Sequence, residues 1–112
     1  MYKRQVLDLL GLSARAAALV SGTNAVRQAV REGSVRQVIV AEDAAAGQRA
    51  KLIPLLEARR IPYDIVFTQE ELGSAIGRAP VSAVGLSNPK MAGRVGELLA
   101  GMGSREDHQG GT

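Results

Sequence analysis

Apolar residues recur along this chain in two alternating rhythms, and the alternation predicts the architecture. Between Arg4 and Ala17, the residues Val6, Leu9, Leu10 and Ala14 fall on one stripe at helical spacing, which predicts an amphipathic helix. Leu19–Ser21 is short and apolar, as an edge strand is. A second helix is expected over Asn24–Glu32, with Val26, Ala29 and Val30 inward, Thr23 or Asn24 as its cap and Gly33 as its stop. Gln37–Ala41 (QVIVA) is a continuous apolar run, the mark of a strand covered on both faces.

The second half repeats the alternation. Gln48–Arg60 reads as a helix with Leu52, Ile53 and Leu56 on its apolar seam, and Pro54 is expected to kink it or to start its second half. Ile61-Pro62 breaks the helix, and Tyr63–Phe67 is the next strand. Gln69–Ile76 forms a short helix capped by Thr68 and closed by Gly77; Arg78–Ala83 is a loop and Val84–Leu86 a small strand. Asn88-Pro89 supplies a cap and a first-turn proline for a last helix, whose Met91, Val95, Leu98, Leu99 and Met102 form a core seam. From Gly103 the tail SREDHQGGT is polar and is expected to be disordered. Strands alternating with helices predict an α/β fold, a three-layer α/β/α sandwich around a small mixed four-stranded sheet, with residues 1–102 as a single domain.

Composition narrows the chemistry. Aromatic residues make up 3% of the chain and Trp is absent, which argues against a base-stacking platform of aromatic side chains. The absence of Cys excludes disulfides, thiolate metal sites and a Cys nucleophile. The longest uncharged runs, residues 16–26 and 79–89, are too short to span a bilayer, and Asp8 and Arg15 interrupt any signal-like core near the start. A cytoplasmic protein without membrane association is expected. The net charge of +3 is unevenly placed: residues 1–60 hold ten Lys/Arg against five Asp/Glu, whereas the remainder is net acidic. The basic field therefore coincides with the second helix.

That helix carries the candidate site. Gly22-Thr23-Asn24 exposes its amino end, whose free N–H groups and partial positive charge can face an anion. Arg27 and Arg31 add full charges one turn apart, a combination suited to phosphate and hence to nucleic acid. Catalysis has little to build on. Glu42 and Asp43 end a buried strand, but adjacent strand residues point to opposite faces and make a poor acid/base pair, and Asp43 is better suited to cap the helix that follows. His108, the single histidine, lies in the polar tail. No phosphate-loop or dinucleotide pattern occurs, and no metal or cofactor is expected.

The ordered set of G-x-N at 22–24, VIVAEDA at 38–44, IPY at 61–63, LGSAIG at 72–77 and SAVGL at 82–86 resembles the kink-turn-binding ribosomal proteins of the L-seven-Ae and L-thirty-e type. The opening LLGLSARAAALVSG resembles the small bacterial YlxQ-like members in particular. The likeness runs over residues 3–100. It implies a non-enzymatic, ribosome- or translation-associated protein, a monomer, that recognises RNA kink-turns, in which tandem sheared G·A pairs flank a sharply bent bulge. In that family the start of the second helix enters the RNA groove through a G-x-N-E-x-x-K pattern. Gly22, Thr23 and Asn24 match that start, while Ala25 stands at the Glu position and Gln28 at the Lys position. Gln28 can still exchange hydrogen bonds with a base edge, and Ala25 cannot.

The family's other RNA element is the loop before the last strand, which cradles an extruded nucleotide. By position this is Arg78, Ala79, Pro80, Val81, Ser82 and Ala83, about one residue shorter than in archaeal members. Its apolar members would pack on an unstacked base, with Arg78 on a phosphate or a base face. The expected RNA-binding set is thus Gly22, Thr23, Asn24, Ala25, Arg27, Gln28, Arg31, Arg78, Pro80, Val81, Ser82 and Ala83. The altered Ala25 and Gln28 also favour a second reading, a protein-interaction adaptor that kept the fold and lost RNA affinity.

Overall fold

The computed structural model describes residues 2–102. The elements run α1 (Tyr2–Arg15), β1 (Leu19–Ser21), α2 (Thr23–Arg31), β2 (Gln37–Val40), α3 (Ala46–Ala58), β3 (Tyr63–Ile65), α4 (Gln69–Ala75), β4 (Ala83–Leu86) and α5 (Pro89–Gly101). The expected disorder of the tail from Gly103 lies outside the described residues.

The four strands form one mixed sheet in the order β1-β4-β2-β3. β4 runs antiparallel to both of its neighbours, and β2 pairs with β3 in parallel. It follows that β1, β2 and β3 all point the same way. Each leads straight into a helix, so the amino ends of α2, α3 and α4 gather along one edge of the sheet, where β4 begins. The helices α2 and α3 pack together as one layer; α1, α4 and α5 make the other. The expected α/β/α sandwich is the observed one, and all four residues of β2 are buried between its layers.

The core is aliphatic. Leu10 from α1, Val26 and Val30 from α2, Ile39 from β2, Leu52 and Leu56 from α3 and Leu99 from α5 are fully or almost fully enclosed. Burying each such side chain contributes roughly 1.5–3 kcal/mol. One polar pair enters this interior: Gln37 Nε2 donates to Asp64 Oδ2 at 2.9 Å, linking neighbouring strands.

Several boundaries differ from the sequence-based expectation, each for a local reason. Helix α3 begins at Ala46, two residues early, and continues without a break through Pro54. Pro54 is exposed, so the Ala50 carbonyl that loses its partner faces water. Strand β3 stops at Ile65 because Phe67 adopts φ 66°, a left-handed conformation that no strand accepts; its carbonyl takes the Glu42 amide at 2.8 Å. Ala83 opens β4 opposite Val40, where the sequence reading had it closing the loop.

Helix α4 is short and heavily anchored. Thr68 Oγ1 accepts the Glu71 amide at 3.1 Å and Glu71 Oε1 accepts the Thr68 amide at 3.0 Å, a reciprocal capping box. Lys3 adds an ion pair to Glu71 from α1. The Lys3 ammonium and the Thr68 amide hold the Glu71 carboxyl below its usual range. Two glycines allow close approach: a Cβ on Gly73 would sit 2.3 Å from the Ala79 carbonyl oxygen, and one on Gly11 would sit 2.8 Å from that of Ala75.

Two outcomes follow from this anchoring. Gly73→Ala should lower the unfolding free energy by about 1–3 kcal/mol, read from the urea midpoint, because the backbone of residues 78–79 must move. The Glu71 contribution is complete above the ordinary glutamate pKa and is lost as pH falls through the lowered one; Glu71→Gln should therefore flatten the acid limb of a stability-versus-pH curve while leaving its neutral slope unchanged.

Candidate nucleic-acid interface

Helix α2 starts one residue earlier than its sequence suggests. Its cap is Gly22, at φ 95° and ψ 149°, with no side-chain hydrogen bond to the helix start. Only glycine takes this backbone without strain. The Gly22 amide donates to the Ala83 carbonyl at 2.9 Å, tying the turn to β4, and its own carbonyl accepts the first helical amide, from Val26, at 3.0 Å. The expectation that Thr23 or Asn24 caps the helix is thus corrected. Thr23 becomes the first helical residue, 7% exposed, and its Oγ1 has no hydrogen-bond partner. Asn24 is exposed, with its side-chain amide uncommitted among the described residues.

Asp43 also departs from expectation. It does not cap α3, whose start at Ala45 has no side-chain cap. Its Oδ1 instead accepts the amide of Gln69 at 2.8 Å, at the first turn of α4. Gln69 then becomes a junction: Nε2 donates to the Asp43 carbonyl at 3.1 Å, Oε1 accepts the Ser82 hydroxyl at 3.4 Å, and its carbonyl takes the Val81 amide at 3.2 Å. One glutamine therefore fixes the loop after β2 to the loop before β4.

These restraints frame an open concavity of about 540 Å3, lined by Ser21–Ala25, Ala45, Gln48, Gln69 and Pro80–Ser82. Of the expected residues it brings together Gly22, Thr23, Asn24, Ala25, Pro80, Val81 and Ser82. Ala83 is fully buried and meets the site only through its backbone, which removes it from the base-contacting set. Arg27, Gln28, Arg31 and Arg78 lie outside the lining. Gln28 Nε2 donates to Glu32 Oε2 at 2.8 Å, one turn further along α2. Ala45, Gln48 and Gln69 were missed by the sequence reading, because only the shared edge of the sheet makes them neighbours.

The lining holds no charged side chain. It offers Ser hydroxyls, Asn and Gln amides, backbone N–H groups and the apolar Pro80 and Val81. Such a surface matches base edges and an unstacked base better than phosphate. Full charges sit around it. Arg27 is half-buried and its Nε is enclosed without a partner; the same is true of Arg49 on α3, whose Nη2 donates to the Glu42 carbonyl.

Fold and site together define a small α/β/α sandwich that presents a neutral hydrogen-bonding hollow framed by arginines, the architecture of a binding protein. Over residues 4–94 the chain matches the Ribosomal protein L7Ae/L30e/S12e/Gadd45 family, and it belongs to that family. It is 30% identical over 91 residues to the RNA-binding protein YlxQ of Bacillus subtilis, which spans 81% of this chain and 91% of that protein. It is also 29% identical over 85 residues to the large ribosomal subunit protein eL8 of Picrophilus torridus, covering 75% and 67%. Among solved structures, a protein with unknown function from Bacillus halodurans superposes with a TM-score of 0.81 at 33% identity, over 85% of this chain and 96% of that one. The 15.5kD RNA binding protein of Giardia lamblia shares the fold, with a TM-score of 0.74 at 22% identity over 88% and 85%. No helix among the described residues is long and apolar enough to cross a membrane.

The corrected caps can be checked by melting. Asn24→Ala should change stability by less than about 0.5 kcal/mol, since no helix end depends on that side chain. Asp43→Ala should cost about 1 kcal/mol, as loss of a cap does, although it lies 26 residues from the amide it holds.

Proposed function

We propose that this chain is a non-enzymatic RNA-binding protein that recognises kink-turn-like structured RNA as a monomer, in association with the ribosome or translation in the cytoplasm. One observation carries the reading: the start of α2 and the loop before β4, distant in sequence, line a single hollow. In this reading the amides of Thr23–Ala25 and the Asn24 side chain meet the non-Watson–Crick pairs. Pro80 and Val81 pack against the extruded base. Arg27, Arg31 and Arg78 serve phosphates. The names of the Bacillus subtilis and Giardia lamblia relatives, both RNA-binding, agree with this reading. Recognition is of shape: the protein draws a kinked/extended RNA equilibrium toward the bent form through its higher affinity for that form.

The adaptor reading is favoured by one feature, the engagement of Gln28 with Glu32, which together with Ala25 removes two polar groups from the helix start. A single titration separates the two. A short kink-turn RNA and a twin with its tandem G·A pairs replaced by Watson–Crick pairs are compared at two salt concentrations. The RNA reading expects the intact motif to bind at least about tenfold more tightly, a difference of about 1.4 kcal/mol. Asn24→Ala should then lose ~1–3 kcal/mol on the intact motif, and Arg27→Gln should reduce the salt slope by roughly one. Equal, salt-sensitive binding to both RNAs would reduce the site to a basic surface. Binding to neither would leave the adaptor reading.

A further inference from the structure

The hollow accounts for the start of α2 but not for the arginines that continue beyond it. Helices α2 and α3 both begin at the same edge of the sheet and pack side by side, so they run in broadly the same direction. Arg27 lies midway along α2 and Arg49 in the first turn of α3, whereas Arg31 and Arg59 lie at the far ends of the two helices. The far ends touch: Arg59 Nη1 donates to the Arg31 carbonyl at 3.4 Å. From Arg49 to Arg59 the helical rise is about 15 Å. Arg60, next in the chain, and Arg36, just before β2, are also exposed.

Two properties distinguish these arginines from ordinary surface charge. Among the described residues none of these arginines is in an ion pair. The two carboxylates on these helices make hydrogen bonds elsewhere: Glu32 accepts from Gln28, and Glu57 accepts the Tyr63 hydroxyl at 2.8 Å. Burial, followed by the hydrogen bond and charge of Glu57, pushes that hydroxyl up to about 12, so Tyr63 remains a donor to Glu57 across the working range. In addition, Arg27 and Arg49 each hold an enclosed Nε without a partner, even though each guanidinium keeps other N–H groups to offer. Unpaired and partly desolvated guanidinium groups are strong phosphate ligands.

The geometry points to the α2–α3 seam as a phosphate track for a duplex arm of the bound RNA, with Arg49 and Arg59 as its α3 members. The inference rests on the RNA-binding reading and extends it: the hollow reads the bend, and the seam holds the backbone of one arm leaving it. An arm reaching the far ends of α2 and α3 meets Arg31 and Arg59, two more cations than an arm that stops short. Affinity therefore depends on arm length as well as on the kink.

The test uses the full chain and two kink-turn RNAs that differ only in one arm, a long duplex or one cut back to the motif, each arm being shortened in turn. Arg59→Gln is the main variant, since Arg59 is exposed and its side-chain contact to the Arg31 carbonyl is long; Arg59→Lys restores the charge, and Arg94→Gln on the opposite layer is the control. The track expects the wild type to bind one long-armed RNA about three- to tenfold more tightly than its cut-back form. Arg59→Gln should abolish that advantage and lower the salt slope by roughly one on the long-armed RNA alone, with Arg59→Lys restoring both. Arg49→Gln, checked first by melting, should weaken binding to the same RNA, and Arg94→Gln should match the wild type. Arm-independent affinity in the wild type, or an Arg59→Gln effect equal on both RNAs, would overturn the track while leaving kink recognition intact. Loss of G·A discrimination with arm dependence retained would overturn kink recognition and leave the track. Failure of the wild type to bind any of these RNAs would overturn both.

Discussion

The direction of one four-residue strand governs the whole molecule. Because β4 lies between β1 and β2 and opposes both, the other three strands are aligned, and three helices must start on one edge. Reversal of the β1–β4 pairing would carry the start of α2 to the far side of the sheet from the loop before β4, and reversal of the β2–β4 pairing would do the same to the start of α3. The hollow is therefore a product of strand polarity first and of side chains second. The same polarity aligns α2 with α3, and without it Arg31 and Arg59 would not meet at the far ends of the two helices.

A loop that must shape a binding surface is commonly mobile, yet here residues 78–82 are restrained from several directions. The capping box and Lys3 fix α4, Gly73 lets the chain fold back against it, and Gln69 holds Val81 and Ser82 in place. Phe67, held left-handed with its ring in the core, aims the chain into α4. The strain at Phe67 is borne by a buried aromatic whose packing over-determines its position. Preorganisation of this kind lowers the ordering entropy that binding would otherwise require.

Much of this was legible in the sequence because periodicity reports local structure directly. The stripe of Val6, Leu9 and Leu10 and the run QVIVA predicted their elements, and Gly22 marked the turn that matters most. What escaped notice was decided by tertiary geometry. Thr23 and Asn24 are good capping residue types, but the left-handed turn at Gly22 moves the helix start forward and leaves Thr23 enclosed. Asp43 precedes α3 in sequence, yet in space it meets α4, a pairing no local rule can see. Nothing local singles out Arg49 and Arg59, because the chain does not announce that α2 lies alongside α3. Ala83 was assigned to the loop one residue too far, since strand pairing with Val40 continues past the last turn signal.

Among the described residues, the three enclosed side-chain polar atoms without partners, on Thr23, Arg27 and Arg49, lie on α2 and α3, the helices that flank the hollow. Each carries a desolvation penalty that the folded chain bears. In the RNA-binding reading RNA binds the folded chain alone, because the unfolded chain has no equivalent site. Folding and occupancy are then thermodynamically linked. A cell that made this protein in excess of its RNA would hold a less stable pool, open more often to unfolding and proteolysis. The supply of RNA would set how long the protein lasts, with no dedicated regulator needed.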